Sequence, residues 1–138
     1  MVLPRKSIDE QLKKLHLCVK RSRWKEAIEI LEKLIRLEPA NVSYSLRIGD
    51  YYIKLGDKER AIVAYMEAGE KFSKGGFWSK AASAYKMILR LEPNHAQSRE
   101  RLQVLHNKMK EQSPPIMIIE TGVPLPSDSL PPPHEPDN

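Results

Sequence analysis

A single cysteine, Cys18, excludes an intramolecular disulfide framework in this chain of 138 residues. It lies in an apolar stretch, where a small buried hydrophobe is the default role. No apolar run approaches the ~20 residues needed to span a bilayer. The opening MVLPRKSIDEQLKK lacks the apolar core of ~7–15 residues that a secretory signal carries, so a cytoplasmic location is expected by exclusion. Glycine-rich phosphate loops, HExxH and CxxC are all missing. The histidines His16, His95, His106 and His134 are scattered. His95 and His106 share a helical stretch but stand about three turns, roughly 16 Å, apart, too far for one metal. The adjacent acids Asp9-Glu10 and the pair Asp57/Glu59 fall in first helical turns, where acids suit the helix dipole. Nothing here requires catalysis, a cofactor or a metal.

Basic residues are missing from one end only. All 23 Lys and Arg precede Ser113, against 14 Asp and Glu, leaving that part at +9. Residues 113–138 carry Glu120, Asp128, Glu135 and Asp137 alone, hence −4, together with eight of the eleven prolines. Proline at that density removes backbone donors from helix and sheet alike, and little apolar surface offsets ordering entropy. A disordered, proline-rich acidic tail over 113–138 is expected after a helical domain over 7–112. Ile116-Met117-Ile118-Ile119 is the one apolar run within that tail. A charge split of this kind suits an acidic partner, or contact between tail and body.

What is abundant is repetition. In the stretch 56–93, Ala61, Tyr65, Ala68 and Phe72 recur at i, i+4, i+7 and i+11, one helical face. After Gly75-Gly76, Trp78, Ala81, Tyr85 and Ile88 form a second such stripe, ended by Pro93. Ala61 and Tyr65 fall on Ala81 and Tyr85 at an offset of twenty residues. A longer period lays Trp24, Ala27, Leu31, Leu34, Leu37 and Pro39 over Trp78, Ala81, Tyr85, Ile88, Leu91 and Pro93. Self-similarity at fixed period in a helical chain is the mark of a solenoid.

Six helices are expected. Ser7 with Glu10 makes a capping box for the first, whose stripe is Ile8, Leu12, Leu15 and Val19. That stripe sits one position out of register with Ala27, which suggests a turn one residue short at Arg21-Ser22-Arg23. The second helix spans about 24–37 and the third about 42–55. Gly56 should end the third in left-handed geometry, with Asp57 capping the fourth, about 58–74. That fourth helix is apolar on two faces, as a helix packed on both sides must be. The fifth covers about 77–91. Asn94 caps the sixth, about 95–111, whose polar outer face suits the end of a solenoid.

These residues resemble the tetratricopeptide repeat, a 34-residue helix–turn–helix unit with small, aromatic and proline residues at fixed positions. Counted from Val42, the chain supplies Gly49, Tyr52, Gly56, Ala61, Tyr65 and Ala68, with Ser73 where proline belongs. Counted from Ile62, it supplies Gly69, Phe72, Gly76, Ala81, Tyr85, Ile88 and Pro93. The counts overlap, so the fourth helix closes one repeat and opens the next. The copy at 8–41 keeps Ala27, Leu31 and Pro39 but neither glycine. The resemblance implies an all-α, right-handed helical-repeat solenoid of about three repeats sharing one helix, with a capping helix at the end. It also implies a non-catalytic protein–protein interaction module, an adaptor or scaffold holding a peptide or helix in a concave groove. By position, that groove is lined by Lys13, Leu17 and Lys20 of the first helix and Ser43, Arg47, Asp50 and Lys54 of the third. The family's chaperone-binding subset clamps a terminal carboxylate with Lys and Asn. Leu17 and Asp50 stand where the asparagines belong, so that clamp is not expected. The alternative is a basic nucleic-acid-associated helical protein, since eight Lys and Arg crowd the first 25 residues against Asp9 and Glu10. No aromatics interleave with that cluster as a stacking platform requires.

Overall fold

The computed structural model of the chain describes residues 5–112. These form six helices: α1 (Arg5–Lys20), α2 (Trp24–Leu37), α3 (Ser43–Lys54), α4 (Lys58–Lys74), α5 (Trp78–Leu91) and α6 (Ala96–Gln112). Among the described residues there is no strand. The expected tail lies outside them. Each helix packs mainly on its neighbours in the chain, which is the one-dimensional order of a solenoid.

The turns carry the repeat as clearly as the helices do. At the α3–α4 junction, Gly56 N–H donates to Ile53 O and Asp57 N–H to Tyr52 O, with Gly56 at φ +77°. The α4–α5 junction repeats this twenty residues on, with Gly76 at φ +81° and Phe77 N–H donating to Phe72 O. A side chain is strained in that backbone region, and glycine is not. The α1–α2 junction makes the same bonds, from Ser22 N–H to Val19 O and from Arg23 N–H to Cys18 O. Ser22 takes φ +56° without being glycine. That turn is therefore full length, and the expectation of a turn one residue short is corrected. The apparent slip arose from reading Leu12 as core, whereas it is 37% exposed. The remaining two junctions share the Leu-Glu-Pro sequence and a second geometry. Glu38 N–H donates to Leu34 O and Asn41 N–H to Glu38 O, as Glu92 does to Ile88 and His95 to Glu92.

Two turn types in a strict alternation would give ordinary repeats. Here the glycine-type turn occurs on both sides of α4. α4 is thus the second helix of the α3–α4 hairpin and the first helix of the α4–α5 hairpin. Its burial agrees: Ala64 belongs to the cluster built from α1, α2 and α3. Ala61, Ile62, Tyr65, Ala68 and Phe72 belong to the cluster shared with α5 and α6.

The two hairpins that share α4 close by one device. A Cβ placed on Gly49 would stand 2.6 Å from the ring of Tyr65, and one on Gly69 would stand 2.6 Å from the ring of Tyr85. Both rings are buried almost completely. A tyrosine on the later helix thus fills the slot that glycine leaves on the earlier one. At the equivalent positions of α1–α2 stand Leu15 and Leu31, both buried. Two mid-sized side chains there replace one absent and one large, which explains how the first copy dispenses with its glycine.

Helix starts differ from expectation in two places. Ser7 lies inside α1, which begins at Arg5, so it is not the cap. At α6 the cap is His95 rather than Asn94: His95 Nδ1 accepts from Ser98 N–H at 3.2 Å and meets Ser98 Oγ at 2.8 Å. Asn94 Oδ1 instead accepts from Arg99. Asp57 does cap α4, its carboxylate accepting from Arg60 N–H at 3.0 Å. Cys18 is half-buried against the first core cluster.

Alanine normally strengthens a helix relative to glycine by about 1 kcal/mol. Gly49→Ala and Gly69→Ala should do the reverse, costing about 1–3 kcal/mol, because a buried ring must move. Urea denaturation beside Glu59→Ala, an exposed control, checks this. Unchanged or raised midpoints for the glycine variants would contradict the packing described.

Candidate functional site

Alternate helices share a layer, because each helix packs on the next. α1, α3 and α5 form one side, and α2, α4 and α6 the other. Of the seven expected groove residues, Lys13, Leu17 and Lys20 stand on α1 and Ser43, Arg47, Asp50 and Lys54 on α3. Lys13, Leu17, Lys20, Ser43, Asp50 and Lys54 are exposed there, while Arg47 is half-buried.

Four of the seven side chains are already engaged within the fold. The Tyr65 hydroxyl donates to Asp50 Oδ1 at 2.5 Å, tying α4 to α3. Arg47 Nη2 donates to Tyr51 Oη at 2.7 Å. Its guanidinium carbon stands 5.7 Å from that ring's centroid. Lys54 Nζ lies 5.8 Å from the Trp24 ring centroid, and Trp24 in turn packs on Tyr51 with centroids 5.2 Å apart. Ser43 Oγ donates to Asn41 Oδ1. What remains as open surface is Lys13, Leu17 and Lys20 on α1, with the charges of Arg47, Asp50 and Lys54 held in fixed places beside them. Net charge over the seven is positive, and Leu17 is 47% exposed.

The same arrangement recurs on the opposite side. Twenty residues after Ser43, Arg47, Asp50 and Lys54 stand Val63, Glu67, Glu70 and Lys74 of α4. Val63 is 63% exposed. Two clefts flank this stripe. One, of about 470 Å³, lies between α2 and α4 over α3 and is lined by Glu32, Ile35, Tyr52, Val63, Glu67 and Lys71 among others. The other, also about 470 Å³, lies between α4 and α6 over α5, with Trp78, Tyr85, Arg101, Val104, Leu105 and Lys108 in its wall. The groove positions expected from the sequence lie on α1 and α3 alone. Carrying those positions forward by the twenty-residue offset would have found the second stripe.

Among the described residues, no group of three or more His, Cys, Asp or Glu side chains is placed to hold a metal ion. None of the described helices is long and apolar enough to cross a membrane.

Consecutive antiparallel helices, closed by repeated turns and repeated Gly–Tyr contacts, define a helical-hairpin solenoid. Residues 42–68, which hold α3 and the first part of α4, match the family model described as tetratricopeptide repeat. That match covers one repeat, and the turns and Gly–Tyr contacts repeated among the described residues extend the same helix–turn–helix architecture beyond it. No curated protein matches it. Similar solved structures include the type III secretion chaperone SycD of Yersinia enterocolitica in complex with a peptide of the translocator YopD. It is 14% identical, with TM-score 0.44, over 79% of this chain and 99% of that one. The Sgt2 TPR domain from Aspergillus fumigatus is 18% identical, with TM-score 0.40, over 87% of this chain and 93% of that one. The first TPR of Spaghetti (RPAP3), bound to the HSP90 peptide SRMEEVD, is 18% identical, with TM-score 0.40, over 78% and 96%. The chain's own glycine-type turns and Gly–Tyr contacts repeat at a fixed offset of twenty residues.

Two tyrosines give the site a signature at high pH. Burial, then the hydrogen bond and charge of Asp50, push the Tyr65 hydroxyl well above its ordinary value. Burial, then the hydrogen bond to and charge of Glu38, push Tyr44 up to about 12. The folded chain keeps these protons where unfolded tyrosine, with a pKa of about 10, has released them. Their contribution is therefore whole below about pH 10 and is lost as pH climbs through the folded values. Urea midpoints followed from pH 9 to about 12 should fall, and less steeply in Tyr44→Phe, whose hydroxyl is gone. Parallel slopes for the two proteins would contradict the assignment.

Proposed function

We propose that the chain is a non-catalytic protein–protein interaction module, an adaptor or scaffold, that holds a peptide or helix of another protein along α1 and α3. The observation that supports this best is the set of exposed and half-buried side chains Lys13, Leu17 and Lys20 on α1 and Ser43, Arg47, Asp50 and Lys54 on α3. It offers one exposed apolar anchor among four cations and a single carboxylate, so an acidic peptide with an apolar residue is the class of partner that fits. Arg47 and Lys54 are held by aromatic rings before any partner arrives, which lowers the ordering cost that binding must meet. Two of the similar proteins hold peptides in their structures. The kind of partner carries over to this proposal, and the identity of those peptides does not. A terminal-carboxylate clamp is not part of it, because Leu17 is apolar and Asp50 already accepts from Tyr65. A cytoplasmic setting goes with this reading.

Selection from a peptide library against the full chain tests the proposal. Enriched sequences should be acidic and should bind wild type at least about tenfold more tightly than Lys13→Glu/Lys20→Glu, a loss of about 1.4 kcal/mol. Both lysines are exposed, so the variant's thermal midpoint should be unchanged. Peptides that bind the variant equally well would move the site off α1. If only nucleic acid binds, with affinity falling steeply against salt, the basic cluster is a phosphate surface and the adaptor reading fails.

A further inference from the structure

We infer that the α4–α6 cleft is the docking site of the chain's own segment 116–120, Ile-Met-Ile-Ile-Glu. The cleft has an apolar wall of Trp78, Val104 and Leu105, and Val104 is 48% exposed. Lys74, Arg101 and Lys108 bring positive charge to its lining, against Glu100. Arg101 pairs with Glu70 at 3.2 Å, which leaves Lys74 and Lys108 as its least compensated cations. Lys108 Nζ also stands 5.3 Å from the Trp78 ring centroid.

The chain reaches the cleft at once. Gln112, the last residue of α6, accepts from Trp78 Nε1 at 2.8 Å, so α6 ends against a residue of the cleft wall. Pro114 and Pro115 follow, and neither can donate the bond that would prolong the helix. From Gln112 back to Gln97, the length of the cleft along α6 is about 22 Å at ~1.5 Å per residue. Residues 113–120 in extended form span about 26 Å at ~3.3 Å each. Reach therefore allows 116–120 to lie along the cleft between Lys108 and Gln97. Ile116 and Ile118 are two residues apart, the spacing that shares one side of an extended segment. The segment is what this cleft asks for in charge as well: residues 113–138 hold four acids and no Lys or Arg. Tethering at so short a distance supplies roughly millimolar effective concentration, enough for a weak contact to stay closed.

This docking is independent of peptide capture on α1 and α3, which uses the other side of the array.

Amide and indole NMR shifts of the full chain test it, compared with Ile116→Asp/Ile118→Asp. Both changes lie outside the six helices, so folding is not at stake. The expected result is a shift of the Trp78 indole and of the Arg101, Val104 and Leu105 amides, with α1 and α3 unmoved and no dependence on concentration. Shifts confined to residues near the substitutions would overturn the proposal. Shifts at Lys13 or Lys20 would place the segment on the α1–α3 stripe and overturn the cleft assignment. Concentration-dependent shifts would show a second copy's segment in the cleft, against the tethered arrangement.

Discussion

A tyrosine ring seated where a glycine leaves no side chain is the contact on which the rest of this structure depends. It occurs twice, Tyr65 against Gly49 and Tyr85 against Gly69, with the same 2.6 Å clearance from the missing Cβ. The glycine allows two helix backbones to approach, and the ring fills the space so created without a void. Neither half works alone. Glycine without the ring leaves a cavity, costly in proportion to its volume, and the ring against any other residue is overpacked. The same tyrosine also satisfies its own polar end, since Tyr65 donates to Asp50. Packing and hydrogen bonding thus fix one geometry between α3 and α4.

Placing both halves of that device on one helix has a consequence for which faces carry equivalent positions. α4 receives Gly49 with its Tyr65 and presents Gly69 to Tyr85, so it takes part in two hairpins of the same kind. Because the turn after α4 is of the glycine type, the next hairpin begins one helix early. The outward stripe at positions 43, 47, 50 and 54 then reappears at 63, 67, 70 and 74, on the other side of the array. A regular alternation of turns would keep every such stripe on one side. This chain presents two surfaces instead, one along α1 and α3, the other along α4 between two clefts.

Much of this was legible in the residues because a period constrains many positions at once. The twenty-residue offset set Gly49 over Gly69 and Tyr65 over Tyr85, and it identified α4 as shared. Leu-Glu-Pro at 37–39 and 91–93 marked the two other junctions. The first hairpin was harder to read, since Ser22 occupies a left-handed position that usually signals glycine. Its Leu15–Leu31 pair likewise hides the equivalence to glycine and tyrosine. His95 was missed as a cap because an imidazole nitrogen is a rare acceptor for that role beside an asparagine. Lys54 over Trp24 and Lys108 over Trp78 are 54 residues apart in both partners. Their pairing depends on which face α3 and α6 turn toward the preceding helix, and that is set by tertiary packing.

If α4 is the shared element, opening it must disrupt both core clusters, and its amides can exchange only through the largest unfolding event. Native-state hydrogen exchange measures this directly. The account predicts that the slowest amides lie on α4 between Tyr65 and Phe72, and that no subglobal opening releases them while either flanking hairpin survives. Slowest exchange in α2, with α4 exchanging earlier through an opening of its own, would contradict it.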